Sequence, residues 1–311
     1  MANNTAGFCE SFKEQYEIIA NSSDEMYIAI FVVNIVMSIA AILGNSLIID
    51  ALRKCSSLHA PSKALLFSLA LSDLGVGCIA QPLFVIHRLA ALTRSYRIFC
   101  VSGIGSNFVG STVVAASFVT STAIAVDRYL ALRLRLRYRE VVTLKRVTAV
   151  VLVSWVASLV WSALWFWDKA TQNCLRIVFF SLCFVTTTSA YLIIYKHMRH
   201  YRFRVAEQVG SAVVRHNTAG SQFNVLRFRR SVVSMCYIYC FLLACYLPYN
   251  CLMVLLIRFQ QTALTVALNA AFATLVLSNS ALNPFVFCRC ISEIRVIVKS
   301  TFSALAVMTR N

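Results

Sequence analysis

Charge is scarce in this 311-residue chain: 13% of its residues are Asp, Glu, Lys or Arg, about half the share of a soluble domain. Acidic residues are the scarcest, 12 against 29 basic ones. With 59% hydrophobic residues and a mean hydropathy of +0.72, that excludes a disordered chain and argues against a soluble domain. The apolar runs lack the strict alternation of a membrane β-barrel. No basic soluble segment exists, so the net charge of +17 does not point to nucleic acid. The polar stretch before the first run has neither a basic start nor a small-residue cleavage site, and that run is expected to be retained. The cores of the runs lack histidine, and Asp73 has no partner aspartate deep in another run, which argues against an intramembrane hydrolase. No repeat relates the first three runs to the last three, which argues against the main alternative, a polytopic transporter.

What is present is a series of seven runs near the ~20 residues that cross a hydrocarbon core: residues 26–52, 62–89, 98–130, 147–166, 175–195, 231–257 and 263–288. Only helices and closed barrels satisfy every backbone group in lipid. The expected fold is therefore an all-α membrane protein, a seven-transmembrane helix bundle. Its parts would be an outer segment 1–25, a bundle 26–288, and a cytoplasmic amphipathic helix with short tail, 289–311. Of the 29 Lys and Arg, 22 fall in the first, third and fifth loops, the tail and the adjoining helix ends. The positive-inside rule then sets the N-terminus outside and the C-terminus in the cytoplasm. The glycosylation triplets, at Asn3 and Asn21, both precede the first run. The inner charges are explained by topology and by anionic lipid at the inner leaflet. The 12 cysteines in so long and oily a chain do not make a disulfide scaffold.

Polar residues inside the runs are the informative exceptions. Asp73, Asn45, Ser117, Asn279, Ser280 and Asn283 all lie mid-run, and Asn279 and Asn283 share a helix face. A buried carboxylate with oxygen-bearing neighbours can hold a small cation such as Na⁺, or it can be a protonated member of a structural network; the residue types fit both. Asp127-Arg128-Tyr129 stands at the inner end of the third run, where Asp127 can pair with Arg128. Pro248 and Pro284 interrupt the sixth and seventh runs and mark kinks.

These motifs, in order, resemble the rhodopsin-like (class A) G-protein-coupled receptors: Gly44-Asn45, Leu69 through Asp73, Asp127-Arg128-Tyr129, Trp155, Tyr191, Cys245-x-x-Pro248 and Asn283-Pro284-x-x-Phe287, followed by an amphipathic run like the family's eighth helix. The resemblance implies a receptor, not an enzyme, that turns binding of an extracellular ligand into activation of a heterotrimeric G protein at the plasma membrane. It implies no cofactor beyond an allosteric sodium ion held by Asp73, Ser117, Asn279, Ser280 and Asn283. Asp127, Arg128, Tyr129, Tyr191, Tyr246, Pro248, Asn283, Pro284 and Phe287 would form the switch. Several positions depart from the family pattern. Tyr246 replaces a tryptophan, Phe287 a tyrosine and Cys183 a proline, and Phe228 stands where an acidic partner for Arg128 often lies. The lock of the resting state is then incomplete, which implies raised basal activity. The outer disulfide of the family implies Cys100–Cys174, with Cys100 nearly one turn further out than usual and Cys9 left over. Cys288 and Cys290 are candidates for lipidation or for plain packing.

The nearest branch by resemblance is the melanocortin, adenosine and cannabinoid type. A cationic amine and retinal are set aside, since Gly110 stands where amine receptors place an aspartate and Leu277 where opsins place a lysine. Within the branch, Leu83, Gly103 and Asn107 stand where melanocortin receptors use acidic residues and Met253 where adenosine receptors place an asparagine, so neither ligand carries over. The expected pocket holds Gln81, Asn107, Gly110, Ser111, Tyr246, Tyr249, Asn250 and Asn269 among apolar side chains. That reads as an uncharged pocket for a neutral small molecule, a lipid or a short peptide.

Overall fold

The computed structural model of the chain describes residues 9–22, 24–56, 58–167, 169–210, 239–256 and 259–308. Among these residues there is no strand. Six helices are long and apolar enough to cross a bilayer: Glu25–Lys54, Ala60–Leu92, Tyr96–Val141, Leu144–Phe166, Thr171–His197 and Ala263–Arg289. Tyr239–Leu255 is a further apolar helix and forms the described part of the sixth run. The chain is thus the all-α, seven-span bundle that its apolar runs predict, and Ser292–Met308 follows as an eighth helix.

Each span divides its surface in two. Val32, Val36, Val153, Val156, Leu182 and Val185 stay exposed, as an outward apolar face does when its solvent is lipid. The inward faces carry small and polar residues, which let helices approach closely. Ser154, Ser158 and Ser162 form such an inward stripe, each hydroxyl donating to a carbonyl of its own helix. Contacts between the second and third spans are the most extensive, followed by those between the first and second and then the first and seventh. At Gly44 a Cβ would stand 2.8 Å from Cγ of Pro284, so the kinked seventh span seats itself against a bare backbone.

Two single π turns interrupt the bundle, at Val76–Ala80 in the second span and Ser106–Gly110 in the third. They touch each other. A π turn takes in one extra residue, and the second of these absorbs part of the offset of Cys100. Above them, the outer end of the bundle is roofed by a short amino-terminal helix, Lys13–Ala20. Phe12 precedes it and is buried against the rings of His87, Phe99 and Trp165, with centroids 5.7, 6.2 and 5.8 Å away. This seat needs Gly103, where a Cβ would lie 2.7 Å from Cε1 of His87. At the inner end, the eighth helix buries Ile294 against the bundle and leaves Val296 exposed, the amphipathic pattern of a helix lying in the interface.

Candidate functional site

The polar residues of the spans converge on Asp73, which has no exposed surface. Its two carboxylate oxygens accept separate bonds, one from the Ser117 hydroxyl at 2.9 Å and one from Nδ2 of Asn283 at 2.6 Å. Ser280 of the seventh span lies near the same carboxyl group. Three helices are therefore tied to one carboxyl group. Asn45 supports the arrangement by donating from the first span to the Ser280 carbonyl at 3.0 Å. Asn279 is buried beside them, and its Oδ1 has no hydrogen-bond partner. A buried carboxylate with hydroxyls around it, and an unpartnered amide oxygen on the same helix as Asn283, are oxygen donors of the kind a hard cation takes.

At the inner end of the third span, Asp127 is buried and collects three partners. Arg128 Nη2 lies 3.1 Å from Oδ2, Ser62 donates to the same oxygen at 3.0 Å, and the Tyr138 hydroxyl donates to Oδ1 at 2.6 Å. Tyr138, from the second inner loop, was not among the sequence-predicted switch residues. Its signal was faint, a single tyrosine in a basic loop. Tyr129 stacks under Arg133, whose guanidinium donates to its hydroxyl at 2.5 Å. Tyr191 packs on the ring of Tyr239 at 5.3 Å and joins the buried cluster that holds Phe287. Phe228 lies outside the described residues.

Between Asp73 and the outer half stands Tyr246. It is buried against Phe118 and Phe180, with centroids at 4.9 and 5.8 Å. Pro248 follows within the same helix, and Pro284 lies within the seventh.

Above this aromatic layer is a cavity of about 330 Å³, at the small end of the range for ligand pockets. Asn107, Gly110, Ser111, Tyr246, Tyr249 and Asn269 of the predicted pocket do line it. Gln81 and Asn250 do not. Gln81 is fully buried beside the first π turn, and the Asn250 amide turns back to donate to its own helix at Tyr246 O, 2.8 Å away.

The description of the pocket as uncharged is also corrected, because Arg88 and Arg176 both face the cavity. By sequence both fall among the Lys and Arg that lie outside the inner loops and tail. The signal that distinguishes them is depth, since each lies within or at the edge of an apolar run, where a charge is expensive. The amino-terminal segment, also missed, closes the cavity with Phe12 and Gln15.

The expected Cys100–Cys174 bridge is replaced by Cys9–Cys100, with Cα atoms 5.3 Å apart. The reason lies in the roof. Phe12 anchors the segment over the second and third spans, and the Tyr96 hydroxyl, 2.6 Å from the Cys9 carbonyl, holds Cys9 beside Cys100. Cys174 is free and exposed. Asn21 is exposed, directly after the roof helix, while Asn3 lies outside the described residues. Cys288 is half-buried.

Residues 44–287 match the family described as 7 transmembrane receptor (rhodopsin family). The chain belongs to that family, whose members are receptors rather than enzymes, and nothing supports the transporter alternative. Within it, the chain is related to adenosine receptors. It is 32% identical to the mouse adenosine receptor A2b over 167 residues, 50% of this chain and 46% of that one. It is 32% identical to the bovine adenosine receptor A3 over 126 residues, 40% of this chain and 38% of that one. The chain spans about half the length of the curated relatives it matches. Squid rhodopsin shares the fold, with a TM-score of 0.75 at 16% identity over 91% of this chain and 87% of that chain.

Proposed function

We propose that this receptor sits in the plasma membrane with its N-terminus outside. It would bind a small extracellular ligand in the outer cavity and activate a heterotrimeric G protein at its inner face. The observation that carries this reading is a continuous stack through the bundle. The cavity floor is Tyr246, Tyr246 packs on Phe118 of the third span, and that span carries both the Asp73 partner Ser117 and the Asp127–Arg128 pair. A ligand that shifts Tyr246 alters the packing on which the inner pair depends. Differential affinity for the two packings is what makes such a ligand an agonist.

Release of Arg128 from Asp127 would free its guanidinium for the G protein, and Pro248 would allow the sixth helix to swing outward. A sodium ion, if bound, would be held by Asp73, Ser117, Ser280, Asn279 and Asn283. It would neutralise the carboxylate and favour the resting packing. The two arginines of the cavity favour an anionic ligand over the neutral one that the sequence suggested, and the small roofed volume suits a small molecule better than a peptide. Adenosine is not carried over, since Met253, on the cavity wall, stands where adenosine receptors are expected to have an asparagine.

Nucleotide exchange by a co-reconstituted G protein tests the proposal. Receptor-dependent exchange that Arg128→Ala removes supports it. Exchange that never rises above an empty-membrane control across the G-protein classes sinks it.

A further inference from the structure

Among its described lining residues, the outer cavity is cationic and lacks a counter-ion. Of the described residues that line it, Arg88 and Arg176 carry fixed charge and none is acidic. The neighbouring glutamates of the roof, Glu10, Glu14 and Glu17, are exposed and do not line it. His87, also on the wall, is held at Nδ1 by the Phe99 carbonyl, 2.8 Å away, and stacks on the Phe99 ring; an imidazole supplies no negative charge.

Arg88 is 3% exposed. One of its N–H groups, on Nη2, donates to Oδ1 of Asn269 at 3.2 Å, while Nε and Nη1 have no partner. Its guanidinium lies 5.5 Å from the centre of the Phe84 ring. Arg176 sits over the Tyr249 ring at 5.7 Å, and its Nε and Nη2 are also unpartnered. A buried guanidinium needs both an opposite charge and acceptors for its N–H groups. Here the rings of Phe84 and Tyr249 supply weak attraction from their faces, and a neutral amide supplies a single acceptor.

We infer that the ligand of this cavity is a small molecule bearing a carboxylate, which Arg88 holds and Arg176 supports as a second cation. The planar fork of a guanidinium matches the two oxygens of a carboxylate. The remaining walls, including Trp161, Trp165 and Phe180, accept an apolar body, aromatic or aliphatic. This deepens the receptor proposal above and rests on the cavity being its ligand site.

The test is thermal unfolding of the full-length receptor in lipid nanodiscs, with octanoate and phenylacetate as probes. Their amides and octylammonium serve as matched controls. Stabilisation by the two acids and not by the controls is expected, with affinity falling about tenfold or more in Arg88→Gln and partly recovering in Arg88→Lys. Arg176→Gln, at a half-buried position, weakens binding by a smaller factor and keeps the test open if Arg88→Gln fails to fold. Arg97→Gln, an exposed arginine off the cavity wall, leaves binding unchanged. Amides as stabilising as acids, stabilisation by the ammonium, indifference to both arginine variants, or no response to either acid would each overturn the inference. Octyl phosphate binding more tightly than octanoate through the same arginines would overturn the carboxylate assignment.

The readout needs no G protein, so it separates the two proposals. Carboxylate binding without nucleotide exchange counts against the receptor reading alone. Exchange driven by a neutral compound, with carboxylates inert, counts against the carboxylate alone.

Discussion

The inner and outer halves of the bundle treat buried charge in opposite ways. In the inner half each buried acid is answered: Asp73 by Ser117 and Asn283, and Asp127 by Arg128, Ser62 and Tyr138. In the outer half two arginines keep N–H groups without acceptors and, among the described residues of the cavity, meet no acid, whereas Arg128, whose Nε is also unpartnered, lies against Asp127. A closed network holds helices in one register and has discrete alternatives. An open one is incomplete until something else arrives. The division matches what a transducing bundle needs, a switch whose buried acids are partnered below and a site that an outside molecule completes above.

The comparison is broken most forcefully at Asp73. In Asp73→Leu the donors of Ser117 and Asn283 lose their acceptor inside the bundle. At ~1–3 kcal/mol for each orphaned buried group, the resting state loses on the order of 2–6 kcal/mol. Asp73→Asn keeps an acceptor and loses less. Thermal unfolding of the two variants in nanodiscs, with and without NaCl against a choline chloride control, gives the ranking. The variants are also expected to be insensitive to sodium where the parent is stabilised by it. Equal melting of parent and Asp73→Leu would show that the carboxylate ties nothing together.

This network was legible in the sequence because each member is a polar residue in an apolar run, and the helical spacing of Asn279 and Asn283 already set their face. The outer half was less legible for three physical reasons. Arg88 and Arg176 fall by sequence among the Lys and Arg outside the inner loops and tail, although the cost of burying them sets them apart. The π turns at Val76–Ala80 and Ser106–Gly110 leave no mark in apolar periodicity, and Gln81, just beyond the first, turned out to be buried in the bundle. The roof segment is an ordinary polar stretch until Phe12 finds its aromatic seat, so the partner of Cys100 could not be read from cysteine spacing.

Next in size is the seam between the first and seventh spans. Gly44→Val adds carbon atoms where a single Cβ already falls 2.8 Å from Pro284, and overpacking of this kind costs ~1–3 kcal/mol. The strain falls on the helix that carries Asn283, so the variant should both melt earlier and weaken the response to sodium. Early melting with an unchanged sodium response would separate the seam from the network and show that the inner half is less closed than its hydrogen bonds imply.

The roof bears on the outer half alone. Cys9→Ser frees the segment that carries Phe12. A disulfide typically contributes ~2–4 kcal/mol, and membrane insertion already restrains both ends of this loop, so about 1–2 kcal/mol is expected. Ligand dissociation from the cavity should speed up, while basal nucleotide exchange stays as in the parent. Cys174→Ser should do neither. A destabilised Cys174 variant beside an intact Cys9 variant would reverse the assignment of the bridge.

The smallest change sharpens the comparison most, because it opens the inner half by a single donor. Tyr138→Phe removes the hydroxyl that donates to Asp127 Oδ1 and leaves Arg128 and Ser62 in place. A hydrogen bond to a charged acceptor contributes ~1.5–3 kcal/mol when buried. Tyr138 is only partly buried, which brings the expectation to about 1 kcal/mol, or roughly a fivefold shift in the resting equilibrium. The sequence alone, with Phe228 in place of an acidic partner, implied a lock already incomplete and a high basal signal. Tyr138 does not replace that acid, but it steadies Asp127, the acid Arg128 already has, so the parent should signal weakly without ligand and Tyr138→Phe several times more. Ligand-free exchange, normalised to surface receptor, distinguishes the two readings. A strong basal rate that Tyr138→Phe leaves unchanged would mean that the Asp127 cluster does not restrain Arg128, and that the contrast between a closed inner half and an open outer half is one of hydrogen-bond count without functional force.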